Sequence, residues 1–370
     1  MRNLLAMSFA CALIVLCTAD RAYAYPQYQL SHDVTCTGCH LSPAGGGLLN
    51  ENGLTVAENE SWKGGKPEFL NGKVELPSWL QLGGDLRGAA GAVNNGVMGG
   101  AGYPMQAEVY VTAGAKGFTV NATGGLRRPN EEAGAIHVLW SREHYLMWQQ
   151  NPGANEGLYV RAGRFMPVFG LRLAEHIAYT QRFGGYPLYG EAYGAAIEYV
   201  SQRFEAHATG FVHDSIASAV EHGDGGAFYG ELRLGDHAAI GAQAKYASDD
   251  DQHRTYAGLT AKAYVPRADL LLQAEGDFVK NKLVGSSYSY NQLLGYLLAT
   301  RPLAQGWLLD VGVGHYTQNT DVKGNYRDCI DVNVHWFATS HIELLATTRL
   351  ELVSSGSNGG YALAQLHYRL

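Results

Sequence analysis

After Pro77 the chain breaks into segments of about ten residues in which apolar and polar side chains alternate, set apart by turn residues, as far as Leu370. A period of two marks a strand with two unlike faces. In 269–279, Leu270, Leu272, Ala274 and Phe278 alternate with Asp269, Gln273, Glu275 and Asp277. In 329–336, Ile330, Val332, Val334 and Trp336 alternate with Asp331, Asn333 and His335. In 341–351, Ile342, Leu344, Ala346 and Leu350 alternate with His341, Glu343, Arg349 and Glu351. A water-soluble barrel would turn the apolar set inward; a membrane barrel turns it toward lipid. The strands are long, and Tyr and Trp recur near their ends as interfacial girdles do. The fold class read here is all-β: a transmembrane antiparallel β-barrel of about sixteen strands behind a short N-terminal segment.

Composition agrees with that choice. Only 16% of residues are charged, against 47 Gly and 23 Tyr, which suits a lipid-facing wall better than a soluble surface. The net charge of −7 argues against a nucleic-acid partner. No apolar run of the mature chain is long enough for a membrane helix.

The strands run from 79–93 at the start to 360–370 at the end, with 104–115, 136–149, 157–164 and 190–200 among them. An even count puts both termini on the periplasmic side. Connections 201–202, 234–237, 265–268 and 337–340 are tight and fall on that side; 94–102, 214–225, 280–289 and 317–324 are longer and fall outside. The turn 150–156 is longer than a periplasmic turn should be. The longest connection, 165–189, is rich in apolar and aromatic residues that would be poor in water, so it is expected to fold into the lumen. The last strand places Leu366, Tyr368 and Leu370 on one face, resembling the C-terminal assembly signal of outer-membrane proteins.

The front of the chain is of another kind. Residues 1–24 read as a signal peptide: Arg2, an apolar stretch from Leu4 to Cys17, then Ala22-Tyr23-Ala24 as a cleavage site. Soon afterwards comes Cys36-Thr37-Gly38-Cys39-His40. C-x-x-C-H is the attachment site of a c-type haem: two thiols add to the porphyrin vinyl groups and the histidine ligates iron. A thioredoxin-like disulfide would want a βαβ pattern nearby, and a structural zinc would want four ligands. Neither is visible around Cys36. Cys11 and Cys17 leave with the signal, and Cys329 is a small packing residue within a strand.

Residues 25–78 therefore form a short haem segment and 79–370 the barrel. So short a segment needs a staple, which covalent haem or packing in the barrel supplies. Gly45-Gly46-Gly47 permits close approach of backbone to porphyrin, or is a plain flexible loop. Cys36 and Cys39 are the expected thioether attachments and His40 the proximal ligand. The sixth ligand is open: there is no Met between residues 25 and 97, which excludes a local Met and leaves His32, a lumen-facing or loop histidine such as His176, His207 or His335, or none.

The whole arrangement resembles the fused monohaem cytochrome–porins of bacterial outer membranes, which include iron-oxidising outer-membrane cytochromes. The resemblance rests on the exported Cys36-x-x-Cys39-His40, the short segment around it and the sixteen-strand pattern. It implies one covalent haem c, an outer-membrane location in contact with lipid, and an electron-transfer role with a periplasmic cytochrome or other carrier as partner. Extracellular Fe(II) is one candidate donor. The alternatives are a passive porin with a haem-bearing plug and a haem sensor. Asp249-Asp250-Asp251 in an outer turn reads first as a solvated acidic turn, and second as a collector of Fe²⁺.

Overall fold

A computed structural model describes residue 30 and residues 35–94, 97–126, 139–173, 177–212 and 223–370. Among the described residues the strands are β1 (Leu80–Asn94), β2 (Met98–Ala115), β3 (Phe118–Leu126), β4 (Leu139–Gln149), β5 (Gly157–Phe165), β6 (Ala192–Val200), β7 (Phe204–Val212) and β8 (Asp224–Arg233). They continue as β9 (Ala238–Ser248), β10 (Gln252–Val265), β11 (Leu270–Leu283), β12 (Ser289–Ala304), β13 (Trp307–Thr317), β14 (Tyr326–Thr339), β15 (Ile342–Val353) and β16 (Gly359–Arg369). Each pairs antiparallel with its neighbours in sequence, and β1 closes on β16 with Asp85 opposite Arg369. Closure leaves no unpaired edge, the condition a sheet must meet in lipid.

The alternation resolves into an inside-out protein. Gln273, Glu275 and Asp277 of β11 are buried, whereas Phe278 is exposed. Asp331, Asn333 and His335 of β14 are buried beside exposed Val332, and Glu343, Thr347 and Arg349 of β15 are buried beside exposed Leu344 and Leu350. Charged side chains point into the lumen and pair there, while the apolar ones face outward. Trp79, Trp307, Tyr103, Tyr246 and Tyr326 stand exposed near strand ends, where aromatic girdles belong.

The expected strands all form, and several of their boundaries move. β2 begins at Met98 rather than at residue 104, so the expected loop 94–102 is mostly ladder, with Ala92 opposite Gly100 and Val93 opposite Gly99. A Gly- and Ala-rich stretch carries no alternation to read, yet its backbone pairs as well as any other. β14 runs on to Thr339, which shortens the turn expected over 337–340. The expected residues 136–138 of β4, and most of the loop 214–225, lie outside the described residues.

The connection between β5 and β6 does fold inward. Phe169, Leu171, Ala178 and Tyr179 are buried, and Phe169, Ala178 and Tyr179 join an aromatic cluster with Tyr256, Tyr296 and Tyr316 of the inner wall. Polar bonds fasten the loop across the lumen: the Leu171 N–H donates to Glu275 Oε2 at 3.0 Å, Lys245 Nζ to the Gly185 carbonyl at 2.6 Å, and Arg349 Nη1 to the Ile177 carbonyl at 2.7 Å. Tyr179 donates to Glu351 at 2.8 Å, above Cys329, which is buried on the lumen side.

Candidate functional site

Cys36, Thr37 and Gly38 form a single 3-10 turn. The His40 N–H donates to the Cys36 carbonyl at 2.8 Å, so the two thiols and the imidazole leave one compact loop. A ten-residue helix, α1 (Glu51–Glu60), packs its first turn on that loop. Asn50 is its N-cap: Oδ1 accepts from the Gly53 N–H at 2.9 Å, and Nδ2 donates to the Thr37 carbonyl at 2.8 Å. Such a cap is worth about 1 kcal/mol. Asn52 donates to the Gly38 carbonyl at 2.8 Å. Helix and loop are so close that a Cβ at Gly53 would stand 2.2 Å from the Cys39 carbonyl oxygen.

The segment is tied to the barrel around its periplasmic rim. Thr37 donates to the Asn155 carbonyl at 2.5 Å, which gives the long β4–β5 turn a purpose. Gln305, in the β12–β13 turn, donates to the Ser61 carbonyl at 3.1 Å, and the Trp62 N–H donates to the Phe337 carbonyl at 2.9 Å. Trp62 packs on Trp336 with ring centres 5.8 Å apart. Ser340 donates to the Gly65 carbonyl at 3.0 Å. From the lumen side, Arg172 of the inward loop donates to the Pro43 carbonyl at 3.4 Å and pairs with Glu205.

Cys36, Cys39 and His40 open onto one cavity of about 1350 Å³, bounded by the segment, by β1 and β2, and by the inward loop. Ordinary ligand sites are roughly 300–1,000 Å³, so a porphyrin has room. Burial pushes the Cys36 thiol up to about 11, with Arg172 opposing, and it raises Cys39 as well. Burial also lowers His40 to about 4, against the Gly46 hydrogen bond, so the imidazole is neutral near pH 7, as an iron ligand must be. Its Nδ1 faces the Gly46 carbonyl at 3.0 Å.

Two observations test whether haem c fits. Gly45 has φ +79°, and a Cβ there would lie 3.5 Å from Cys36 Sγ, so the loop keeps its space beside the thiol clear. The cavity wall also carries Arg87, whose Nε is buried without a hydrogen-bond partner and whose Nη2 lies 3.4 Å from His367 Nδ1. The other lining arginines have carboxylates: Arg142 meets Glu108 and Glu191, Arg161 meets Glu198, and Arg369 meets Glu343. An unmatched guanidinium facing a porphyrin-sized space suits a propionate. The residues present fit the group: Cys36 and Cys39 would carry it, His40 would hold its iron, and Arg87 would meet a propionate.

From Asp85 and His367 of that wall a chain of alternating acids and imidazoles, which the sequence did not reveal, runs on into the neighbouring strands. Asp85 Oδ1 lies 2.6 Å from His367 Nε2, and His367 Nδ1 lies 2.9 Å from Glu343 Oε2. His335 then bridges Glu343, at 2.8 Å, and Asp310, at 3.1 Å. Its members sit on β1, β16, β15, β14 and β13, adjacent in space and far apart in the chain.

His335 has both ring nitrogens on carboxylates. His207 lies between Glu198, at 3.0 Å, and Glu205, at 3.8 Å. Neither lines the cavity, so as iron ligands they are set aside. His32 and His176 lie outside the described residues. Asp249 spends Oδ1 on the N–H groups of Asp251 and Gln252, at 2.9 and 2.7 Å, so it builds the β9–β10 turn. Among the described residues no three His, Cys, Asp or Glu side chains converge to hold a metal ion.

Solved structures of the same shape decide the architecture. OmpT of Vibrio cholerae superposes with a TM-score of 0.63 at 10% identity, over 80% of this chain and 100% of that one. An anion-selective porin from Comamonas acidovorans gives 0.59 at 12% identity, over 79% and 99%. Salmonella typhi OmpF, solved with daunomycin, gives 0.60 at 11% identity, over 79% and 97%. The fold is a porin-like outer-membrane barrel. No family model matches the chain, and no curated protein does. The porin-like barrel accounts for the lipid-facing wall, the outer-membrane location and the inward loop; the C-x-x-C-H segment at its mouth is a separate matter.

Proposed function

We propose that the protein is an outer-membrane electron conduit, with one covalent haem c held at the periplasmic mouth of a porin-like barrel. The observation that carries this reading is the placement of Cys36, Cys39 and His40 on one tied loop facing a porphyrin-sized cavity that continues up to the inward loop. The bound haem supplies one-electron chemistry. The chain's own residues do the rest. The N–H at His40 Nδ1 is held by the Gly46 carbonyl, which leaves the Nε2 lone pair for iron. Arg87 would offset the charge of a propionate in a site of low dielectric. Trp62, Gln305 and Ser340 keep the segment seated at the rim, where a periplasmic cytochrome or other carrier can approach. The inward loop narrows the lumen above. Fe(II) at the outer face is a candidate donor, with Asp250 and Asp251 as a weak collector of cations.

The test is a paired comparison of the wild type with Cys36→Ala/Cys39→Ala. The wild type should stain for haem after denaturing electrophoresis and show low conductance in planar bilayers. The double variant should lose the stain while still reaching the outer membrane as a folded barrel, because the β1–β16 ladder closes without the segment. Haem stain that survives in the double variant, or a wild type without covalent haem, refutes the reading. A freely conducting wild type favours the passive porin.

A further inference from the structure

We infer that the barrel completes the iron coordination, with Met166 as the sixth ligand; this rests on the haem reading above. The segment holds no Met, and among the described residues the cavity wall holds no lysine. Among the described residues two histidines besides His40 line the cavity, and both are occupied. His341 presents Nδ1 to the Arg369 carbonyl at 2.7 Å and Nε2 to the Lys66 carbonyl at 2.6 Å. His367 is held between Asp85 and Glu343. To free either ring would break a bond to the rim or strand a buried carboxylate.

Two thioethers remain on the wall, Met105 and Met166. Thioether opposite imidazole is an ordinary axial pair for c-type haem. Met166 is the better placed. It directly follows β5, and its N–H donates to Glu143 Oε1 at 3.2 Å, which anchors its backbone at the lumen wall. The chain beyond it reaches the residues just after His40 directly, and the chain before it reaches them through Tyr145 of β4. Behind it, Phe165 packs edge-on to Tyr145 at 5.8 Å, and the Tyr145 hydroxyl meets Ser42. Ahead of it, Arg172 donates to the Pro43 carbonyl. Met105 sits at the β1–β2 register shift, next to Gln106, which bonds to Glu108 and Tyr110. The unbranched Met side chain has the freedom to swing onto a metal from a fixed backbone.

The experiment uses the full-length protein with its covalent haem in detergent, as wild type, Met166→Leu and Met105→Leu. Leucine keeps the packing volume. The readouts are the sulfur-to-iron charge-transfer band of the oxidised haem and the midpoint potential. The wild type should show the band; Met166→Leu should lose it and drop in potential; Met105→Leu should keep both. Met166→His should restore a six-coordinate low-spin spectrum without the sulfur band. A band that survives in Met166→Leu, one lost only in Met105→Leu, or none in the wild type overturns the inference while leaving covalent haem in place. Absence of covalent haem from the wild type instead refutes the haem reading itself, and this inference with it.

Discussion

His40 Nδ1 and the carbonyl oxygen of Gly46 lie 3.0 Å apart, across a loop whose three consecutive glycines all have positive φ. A carbonyl can only accept, so the ring N–H sits on Nδ1, and Nε2 keeps its lone pair. Gly46, at φ +71°, reaches that position in a conformation few other residues tolerate. The glycine run is therefore what orients the imidazole.

The same burial that readies His40 makes the haem-free loop sensitive to acid. Its pKa falls from 6.5 to about 4 on folding. Between those values the undocked loop binds a proton that the docked loop does not, so docking is fullest above pH 6.5 and weakens as pH falls toward 4. Limited proteolysis of haem-free protein should cut within 35–60 faster at pH 5 than at pH 7. Greater protection at pH 5 would contradict the placement of His40.

Cys36 should be a sluggish nucleophile. A pKa near 11 leaves far less thiolate at pH 8 than an ordinary cysteine has, by a factor on the order of 100. Mass spectrometry of haem-free protein treated with iodoacetamide should show Cys36 modified much more slowly than an unfolded control. Equal rates would mean that the thiol is not buried beside Arg172.

Gly53→Ala tests the contact of α1 with the haem loop. Its Cβ would fall 2.2 Å from the Cys39 carbonyl, so helix or loop must move, at about 1–3 kcal/mol. The yield of covalent haem per barrel should fall. Wild-type haem content in this variant would show that the helix does not need to lie so close.

Arg172→Gln removes the bond to Pro43 and takes from buried Glu205 its guanidinium partner, leaving His207 at 3.8 Å and the charge of Lys262. Breaking such a pair costs about 3–5 kcal/mol. The inward loop should loosen, and single-channel conductance should rise together with a lower unfolding temperature. A stable, equally closed channel would remove Arg172 from the loop's tether.

The barrel was legible because its logic is local. Alternation such as Gln273-x-Glu275-x-Asp277 against Leu272 and Phe278 declares two faces residue by residue, and turn residues mark the ends. Cys36, Cys39 and His40 were legible for the same reason: their chemistry depends on spacing within five consecutive residues. The register of β2 beyond Gly102 was not, because Gly and Ala have no face to declare and only the β1 ladder sets where pairing stops. Tertiary structure alone decided which histidines are spent. His335 and His207 look available in sequence, yet the closed sheet sets each between carboxylates from neighbouring strands. It likewise decided that Arg87 faces the cavity unmatched and that Met166, far from Cys36 in the chain, shares its wall. A periodic pattern encodes which way a side chain points; what it meets there depends on how the ring of strands closes.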